Sequence, residues 1–555
     1  MFSTVVYLIL AIILQNAAAV SVRVEQGKLR GEQKWTITGD KLYNSFKGIP
    51  YAAPPIGKFR FKAPQPAPYW KGIRNATEYG NVCPQYDVLR SALTPGSEDC
   101  LFMNVYTTCM NPSSLLPVLV VVHGGKFIWG SGNDDIYGPD FIVDSSDIVM
   151  VTFNYRIDHL GFLSLDTAEA PGNAGMKDQI AALRWVKRNI KNFGGDPNRV
   201  TIMGESSGAM SVTYLALSPM SQGLFQRVIS MSGVAISEFT VAFEPQRRAF
   251  ALAKSLGFVT TNTTELFEFL QSVPAVDLIN TNTPIVAAED YIIPVKMLYS
   301  WPVVEKDFGQ ERFLIEPPDV SVRKGRSNVD MFLGFTSGEG VFFIPEIEEF
   351  PVIENFDRYP EVLTPKDILY RSMSELHLKL ADYIKEYYTG SKRMSLNTVP
   401  QVVEFVSHSF IYSIISYANL LSNYSPNDNI YMYEFTGMSE RNKFSQLGTK
   451  YGITGVSHFD DIMYVFNANL FNFPLNKNAT SYKMIRQMCS LLTNFAMHGN
   501  PTPDASLGVT WPKYNKNSRE YIEIGEDLTL SANPRQTMVD FYDFIYEVAG
   551  TKKLY

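Results

Sequence analysis

The sequence predicts an α/β protein in which helices flank a central, mainly parallel sheet. Three observations carry that expectation. Residues 118–122 are an unbroken β-branched and leucine run, the mark of a strand buried on both faces. Residues 173–193 place Met176, Ile180, Leu183, Val186, Ile190 and Phe193 at helical spacings of three and four, and Gly194-Gly195-Asp196-Pro197 stops that pattern. Residues 200–208, Val-Thr-Ile-Met-Gly-Glu-Ser-Ser-Gly, then run four apolar or β-branched residues into a glycine-flanked turn. Strand, helix and strand in this order make right-handed βαβ territory.

The other elements follow in order. Residues 20–110 carry short β-like runs broken by turn residues such as Pro50, Pro54-Pro55 and Pro64. Residues 147–153 read as a second buried strand, 209–217 as the helix after the turn, and 227–231 as a short strand closed by Ser232-Gly233. Between 240 and 315 the pattern is helical and loop-like. The sheet resumes at 329–334, helices are expected over 364–388 and 399–422, and 429–435 is the last clear strand. Helices at 481–498 and 537–548 close the chain.

Hydrophobic residues make up 45% of the chain and no linker-like tract divides it, so residues 20–555 read as one domain. A net charge of −7 is mild for this length and argues against nucleic-acid binding and against docking on a membrane surface. Apolar residues 5–14 precede Ala17-Ala18-Ala19, so residues 1–19 read as a secretory signal peptide, too short in its apolar part to be a membrane anchor. A soluble secreted protein is expected. Four cysteines are too few for disulfides to carry the fold. Cys83 and Cys100 flank a loop containing Pro84 and Pro95-Gly96 and are the expected disulfide, worth about 3 kcal/mol through loop closure. Cys109 and Cys489 read as small buried apolar residues, with a long-range disulfide between them as the minor alternative. Asn75, Asn262, Asn423 and Asn478 stand in glycosylation sequons. No Cys/His cluster has metal-ligand spacing, so neither a metal nor a cofactor is expected.

The chemistry centres on Gly204-Glu205-Ser206-Ser207-Gly208. Between a strand and a helix, Gly-x-Ser-x-Gly is the context of a nucleophile elbow, a turn so tight that the flanking positions must lack bulk. The pentapeptide arises by chance in roughly one chain in six of this length, so its weight comes from what accompanies it. A serine hydroxyl needs an imidazole to take its proton and a carboxylate to orient that imidazole. Of the six histidines, His377 and His408 fall in helical patterns, His498 ends one, and His123 precedes a glycine pair at a strand end. His458 follows the last strand in a glycine-flanked loop and is the expected base; pattern alone leaves His159 open as well. Glu339, bracketed by Gly338 and Gly340 after a strand, completes the order Ser206, Glu339, His458 as the acid. Negative charge on the tetrahedral intermediate calls for amide donors, one from Ser207 and others from the His123-Gly124-Gly125-Lys126 turn.

Taken together, these residues resemble the type-B carboxylesterases of the carboxylesterase/cholinesterase family, in particular secreted insect esterases. The resemblance runs from about residue 23 to 548 and includes Phe46-Lys47-Gly48-Ile49-Pro50-Tyr51-Ala52, Ser97-Glu98-Asp99-Cys100-Leu101, Phe193-Gly194-Gly195-Asp196-Pro197, the elbow, Glu339-Gly340 and Gly455-Val456-Ser457-His458. It implies an α/β-hydrolase fold, a Ser206–Glu339–His458 triad, an oxyanion hole from the amides of Gly125, Lys126 and Ser207, and supports the Cys83–Cys100 bond. Departures stand out. Lys126 replaces a small residue, Ser207 stands where alanine is commoner, and Phe258 and Phe269 fall where a second disulfide is frequent. The Cys83–Cys100 loop lacks a tryptophan, which removes support for choline recognition. Juvenile hormone esterases resemble Gly-Gln-Ser-Ala-Gly at the elbow, and Glu205 departs from that.

The reading is a serine carboxylesterase acting through an acyl-serine intermediate on hydrophobic small-molecule esters, with no obligate protein partner. The alternative is a non-catalytic adhesion or ligand-binding member of the same fold. A surface-acting lipase would want an amphipathic lid, and none is evident.

Overall fold

The apolar run at 118–122 lies in the middle of a thirteen-stranded sheet. In the computed structural model, residues 19–237, 242, 244–281, 286, 301–349, 352–369, 372–551 and 553 are described. The expected signal peptide lies, apart from Ala19, outside them. The strand path runs Val20–Val24, Gly27–Trp35, Leu42–Pro50, Phe102–Thr107, Val149–Phe153, Leu116–Val122, Gly195–Glu205, Arg227–Met231, Asp330–Thr336, Ile430–Phe435, Glu520–Ile524 and Leu528–Ala532, with Ile73–Asn75 beside the second strand. From Val149–Phe153 to Glu520–Ile524 every neighbouring pair is parallel; on both flanks the path is antiparallel, with Ile73–Asn75 parallel to Gly27–Trp35.

Side-chain alternation explains why the central strands read as continuous apolar runs. Val118, Val120 and Val122 pack in one layer with Leu183, Trp185 and Val212, while Leu119 and Val121 pack in the other with Ile142, Leu491 and Phe495. Both faces are covered by helices, so apolar side chains are favoured on each. The first layer is roofed by Ala174–Asn189, Ser207–Leu217 and the 26-residue Val399–Tyr424; the second by Asp140–Ser145 and Thr480–His498.

The chain reverses direction across the sheet at Leu116–Val122, whose neighbours are Val149–Phe153 on one side and Gly195–Glu205 on the other. At such a switch point loops leave the carboxyl ends of adjacent strands in opposite directions and open a crevice. Here the loop after Val122 begins with His123, the turn after Glu205 is the elbow, and the loop after Thr336 carries Glu339.

Expected boundaries agree closely for 227–231 and differ elsewhere in instructive ways. The 173–193 helix is α-helical over Ala174–Asn189 and tightens to a 3-10 turn over Ile190–Phe193, ended by Gly194 at φ 84°. Residues 429–435 are not the final strand, because Glu520–Ile524 and Leu528–Ala532 extend the sheet beyond them. These are five-residue strands at the sheet's edge, and Leu528–Ala532 buries none of its residues, so the period-two signal is faint. Among the described residues, no helix is long and apolar enough to cross a membrane.

Candidate active site

Ser206 sits at φ 57° and ψ −123° between the strand Gly195–Glu205 and the helix Ser207–Leu217. A non-glycine residue there costs on the order of 1–3 kcal/mol, and the surroundings impose it. The Ser206 amide donates to the Met231 carbonyl at 2.9 Å. A Cβ on Gly204 would lie 2.2 Å from the Gly208 carbonyl, and one on Gly208 would lie 2.2 Å from the Val122 oxygen. The two glycines are therefore demanded by close approach of backbone to backbone.

The turn after Val122 packs against the elbow. Gly125, Lys126 and Phe127 have φ of 109°, 55° and 58°, a run of left-handed residues. A Cβ on Gly125 would fall 2.1 Å from the Trp129 carbonyl oxygen, and the Cβ position of Gly124 is 3.4 Å from the Cβ of Ser206. The Phe127 amide donates to Ser207 Oγ at 3.2 Å and the Gly124 amide to Tyr137 Oη at 2.9 Å. Among the described residues, the amides of Gly125, Lys126 and Ser207 donate to no protein acceptor. Ser207 thus gives its hydroxyl to bracing this turn, a use that an alanine lacks.

Glu339 is fully buried and its carboxylate is saturated with donors. Oε1 accepts from Ser232 Oγ at 2.7 Å and from the Thr336 amide at 2.8 Å, while Oε2 lies 2.5 Å from His458 Nδ1. Gly340 is required beside it, since a Cβ there would meet the Val403 carbonyl at 2.1 Å; its amide donates to Ser407 Oγ. The His458 loop is sewn to the acid loop, Gly338 N donating to Val456 O and Val456 N to Ser337 Oγ. Asp460 anchors the same loop from behind by accepting from the amides of Phe444 and Ser445 and from Ser445 Oγ, its carboxyl pushed up to about 6 by burial.

The other imidazole nitrogen, Nε2, faces the elbow. It lies 3.2 Å from Glu205 Oε1, out of hydrogen-bond alignment. Among the described residues neither oxygen of Glu205 has a hydrogen-bond partner, and burial, reinforced by the charges of Asp461 and Glu339, holds its carboxyl well above the usual range. Asp461 receives the Tyr433 hydroxyl at 3.0 Å and is pushed up to about 7, first by burial and then by Glu339. Phe342, Phe343 and Phe410 pack their rings 5.1–5.9 Å from the imidazole. Beside the turn after Val122 a cavity of about 320 Å³ is lined by Gly124, Trp129, Tyr137 and Phe459 together with Asp87 and Arg90.

The structure therefore places His458 between Glu339 and Glu205, the residue just before Ser206, and packs the Gly125–Phe127 turn against Ser207. His159 lies apart from that set, in the short helix Asp158–Phe162. His377 contacts Ser372 Oγ at 2.8 Å, and His408, lowered to about 4 chiefly by burial, contacts Tyr388 Oη at 2.7 Å. Sequence reasoning missed Ser232, Asp460 and Asp461. The two aspartates follow His458 after one intervening residue, Phe459, and Ser232 comes just after the strand Arg227–Met231, but none of the three positions has a periodic signature.

Cys83 and Cys100 are bonded, with Cα atoms 5.0 Å apart, and close the loop that carries Asp87 and Arg90 to the cavity. Cys489 is buried as expected, but Cys109 is exposed, because it falls in the turn after Phe102–Thr107 and not in the strand. Phe258 and Phe269 stack with centroids 4.3 Å apart, an apolar link where a second disulfide is frequent. Asn75, Asn262, Asn423 and Asn478 are all exposed. Among the described residues no group of His, Cys, Asp and Glu is arranged to hold a metal.

The carboxylesterase family profile matches residues 18–542. Juvenile hormone esterase of Heliothis virescens is 31% identical over 552 residues, covering 95% of this chain and 94% of its own. Esterase FE4 of Myzus persicae is 34% identical, covering 93% of this chain and 91% of its own. The crystal structure of juvenile hormone esterase from Manduca sexta, with OTFP covalently attached, superposes with a TM-score of 0.84 at 31% identity, covering 95% of this chain and 100% of that one. A match over nearly the whole length, in sequence and in backbone, leaves one conclusion: the chain belongs to the carboxylesterase family and is a carboxylic ester hydrolase on the α/β-hydrolase fold.

Proposed function

We propose that the chain, one domain over residues 20–555, is a secreted serine carboxylesterase in which Ser206 is the nucleophile, His458 the general base and Glu339 its orienting acid. Ser206 Oγ adds to the ester carbonyl carbon while His458 Nε2 takes its proton. Glu339 fixes the proton on Nδ1 and stabilises the imidazolium. The oxyanion accepts from the amides of Gly125, Lys126 and Ser207, each donor worth about 3 kcal/mol in the transition state. Collapse of the intermediate expels the alcohol with the proton from Nε2, and water, activated by the same nitrogen, releases the acid. The observation that carries this reading is the imidazole held at 2.5 Å by Glu339 on one nitrogen, with the other turned to the elbow. Among the described residues no hydrogen bond joins Ser206 Oγ to Nε2, and catalytic bonds of this kind commonly tighten only with substrate.

Aromatic rings around His458 favour hydrophobic small-molecule esters of the odorant, hormone or xenobiotic kind. The disulfide and four exposed sequons suit an oxidising, secretory route. Ser206→Ala is expected to abolish hydrolysis of p-nitrophenyl acetate; unchanged turnover would overturn the assignment. In the alternative of a non-catalytic binder, the wild-type protein itself would show no turnover.

A further inference from the structure

Lys126 contributes more than an amide. Its side chain is buried, on a backbone held at φ 55°. The ammonium pairs with Glu346, on the helix Ile344–Glu349, and sits 4.9 Å from the centroid of the Phe343 ring. Phe343 is in turn 5.9 Å from the His458 imidazole and 5.7 Å from Phe410. One ring thus separates a charged pair from the base. The pair links the oxyanion turn to the helix that directly follows the Glu339–Phe343 turn. Glu346 keeps 24% of its side chain exposed, so water still reaches the pair from one side.

Resting on the reading above, we propose that Lys126 and Glu346 form a polar stop that sets the length of the ester group seated against Phe343, and that the enzyme is selective for short groups on that side. In an open apolar pocket each added methylene raises affinity about fourfold. Here a growing chain meets four lysine methylenes and then an ion pair. To pass, it must separate the pair or cover its remaining wet face, and removing water from a buried pair without new hydrogen bonds is unfavourable. A two- to four-carbon group stops short of both costs.

The test is the ratio of kcat/KM for eight-carbon over two-carbon esters, in two series: p-nitrophenyl esters with varied acyl chains, and alkyl acetates with varied alcohols. Lys126→Met/Glu346→Leu removes both charges while keeping bulk, and Lys126→Ala/Glu346→Leu removes bulk as well. Glu346→Gln keeps the bridge's shape with half its charge. Active sites are counted by organophosphate titration and folding is checked by thermal melting. The ratio is expected to rise at least tenfold in one series with Lys126→Met/Glu346→Leu, further with Lys126→Ala/Glu346→Leu, and less with Glu346→Gln. The series that responds identifies the ester half lying against Phe343. If all three variants titrate as active and neither series changes its ratio, the stop does not exist and the serine assignment is untouched; loss of wild-type titration would instead remove that assignment.

Discussion

Two carboxylates meet the imidazole of His458 from opposite sides, and the protein treats them differently. Glu339 receives a serine hydroxyl, a backbone amide and Nδ1 of the imidazole; Glu205, equally buried, has no aligned donor among the described residues. Burial alone penalises a charge by several kcal/mol, and hydrogen bonds to the ionised form repay it. Glu205 is built to stay neutral, with its carboxyl held well above the usual range. Among the described residues, one of these two like carboxylates has aligned donors and the other has none.

That contrast can be attacked in order of expected effect. Glu339→Gln should lower kcat by about 10³–10⁴-fold, because an amide both removes the charge and misorients the tautomer. A loss under tenfold in steady-state hydrolysis would mean that Glu339 does not orient His458. Ser232→Ala removes one of the three donors to Glu339 and should cost about tenfold in kcat, with KM little changed. Glu205→Gln, an isostere of a neutral carboxyl, should leave kcat/KM within about threefold of wild type at pH 7. A hundredfold loss there would show that Glu205 acts as an anion.

The smallest effect is on stability. Asp461, pushed from the ordinary 3.8 to about 7, binds its proton more tightly folded than unfolded. Between pH 4 and 7 the folded state therefore holds the extra proton, and unfolding free energy falls as pH rises through that window. Asp461→Asn keeps an acceptor for Tyr433 and removes the titration. Its melting temperature should exceed that of wild type by several degrees at pH 8, and the gain should vanish near pH 4.

Much of the site is legible in the amino-acid sequence. Ser206 is marked by glycines whose necessity is a contact of about 2.2 Å, and glycine is visible in a sequence. Val118–Val122 is marked because both of its faces are covered. Ser232, Asp461 and the Lys126–Glu346 pair are not legible, for a common reason. Each acts through a partner more than 25 residues away: Ser232 on Glu339, Tyr433 on Asp461, Lys126 on Glu346. Periodicity reports which face of an element is buried and nothing about what stands opposite. Cys109 departs from its expected burial for a smaller reason: the strand before it ends at Thr107, and its exposure depends on that boundary.

The most direct measurement of the central claim is the site of covalent capture. After stoichiometric inactivation with a dialkyl fluorophosphate, peptide mass spectrometry should place a single dialkylphosphoryl adduct on Ser206, with activity lost in proportion to labelling. Inactivation with the adduct on any other residue, or full activity with Ser206 labelled, would contradict it.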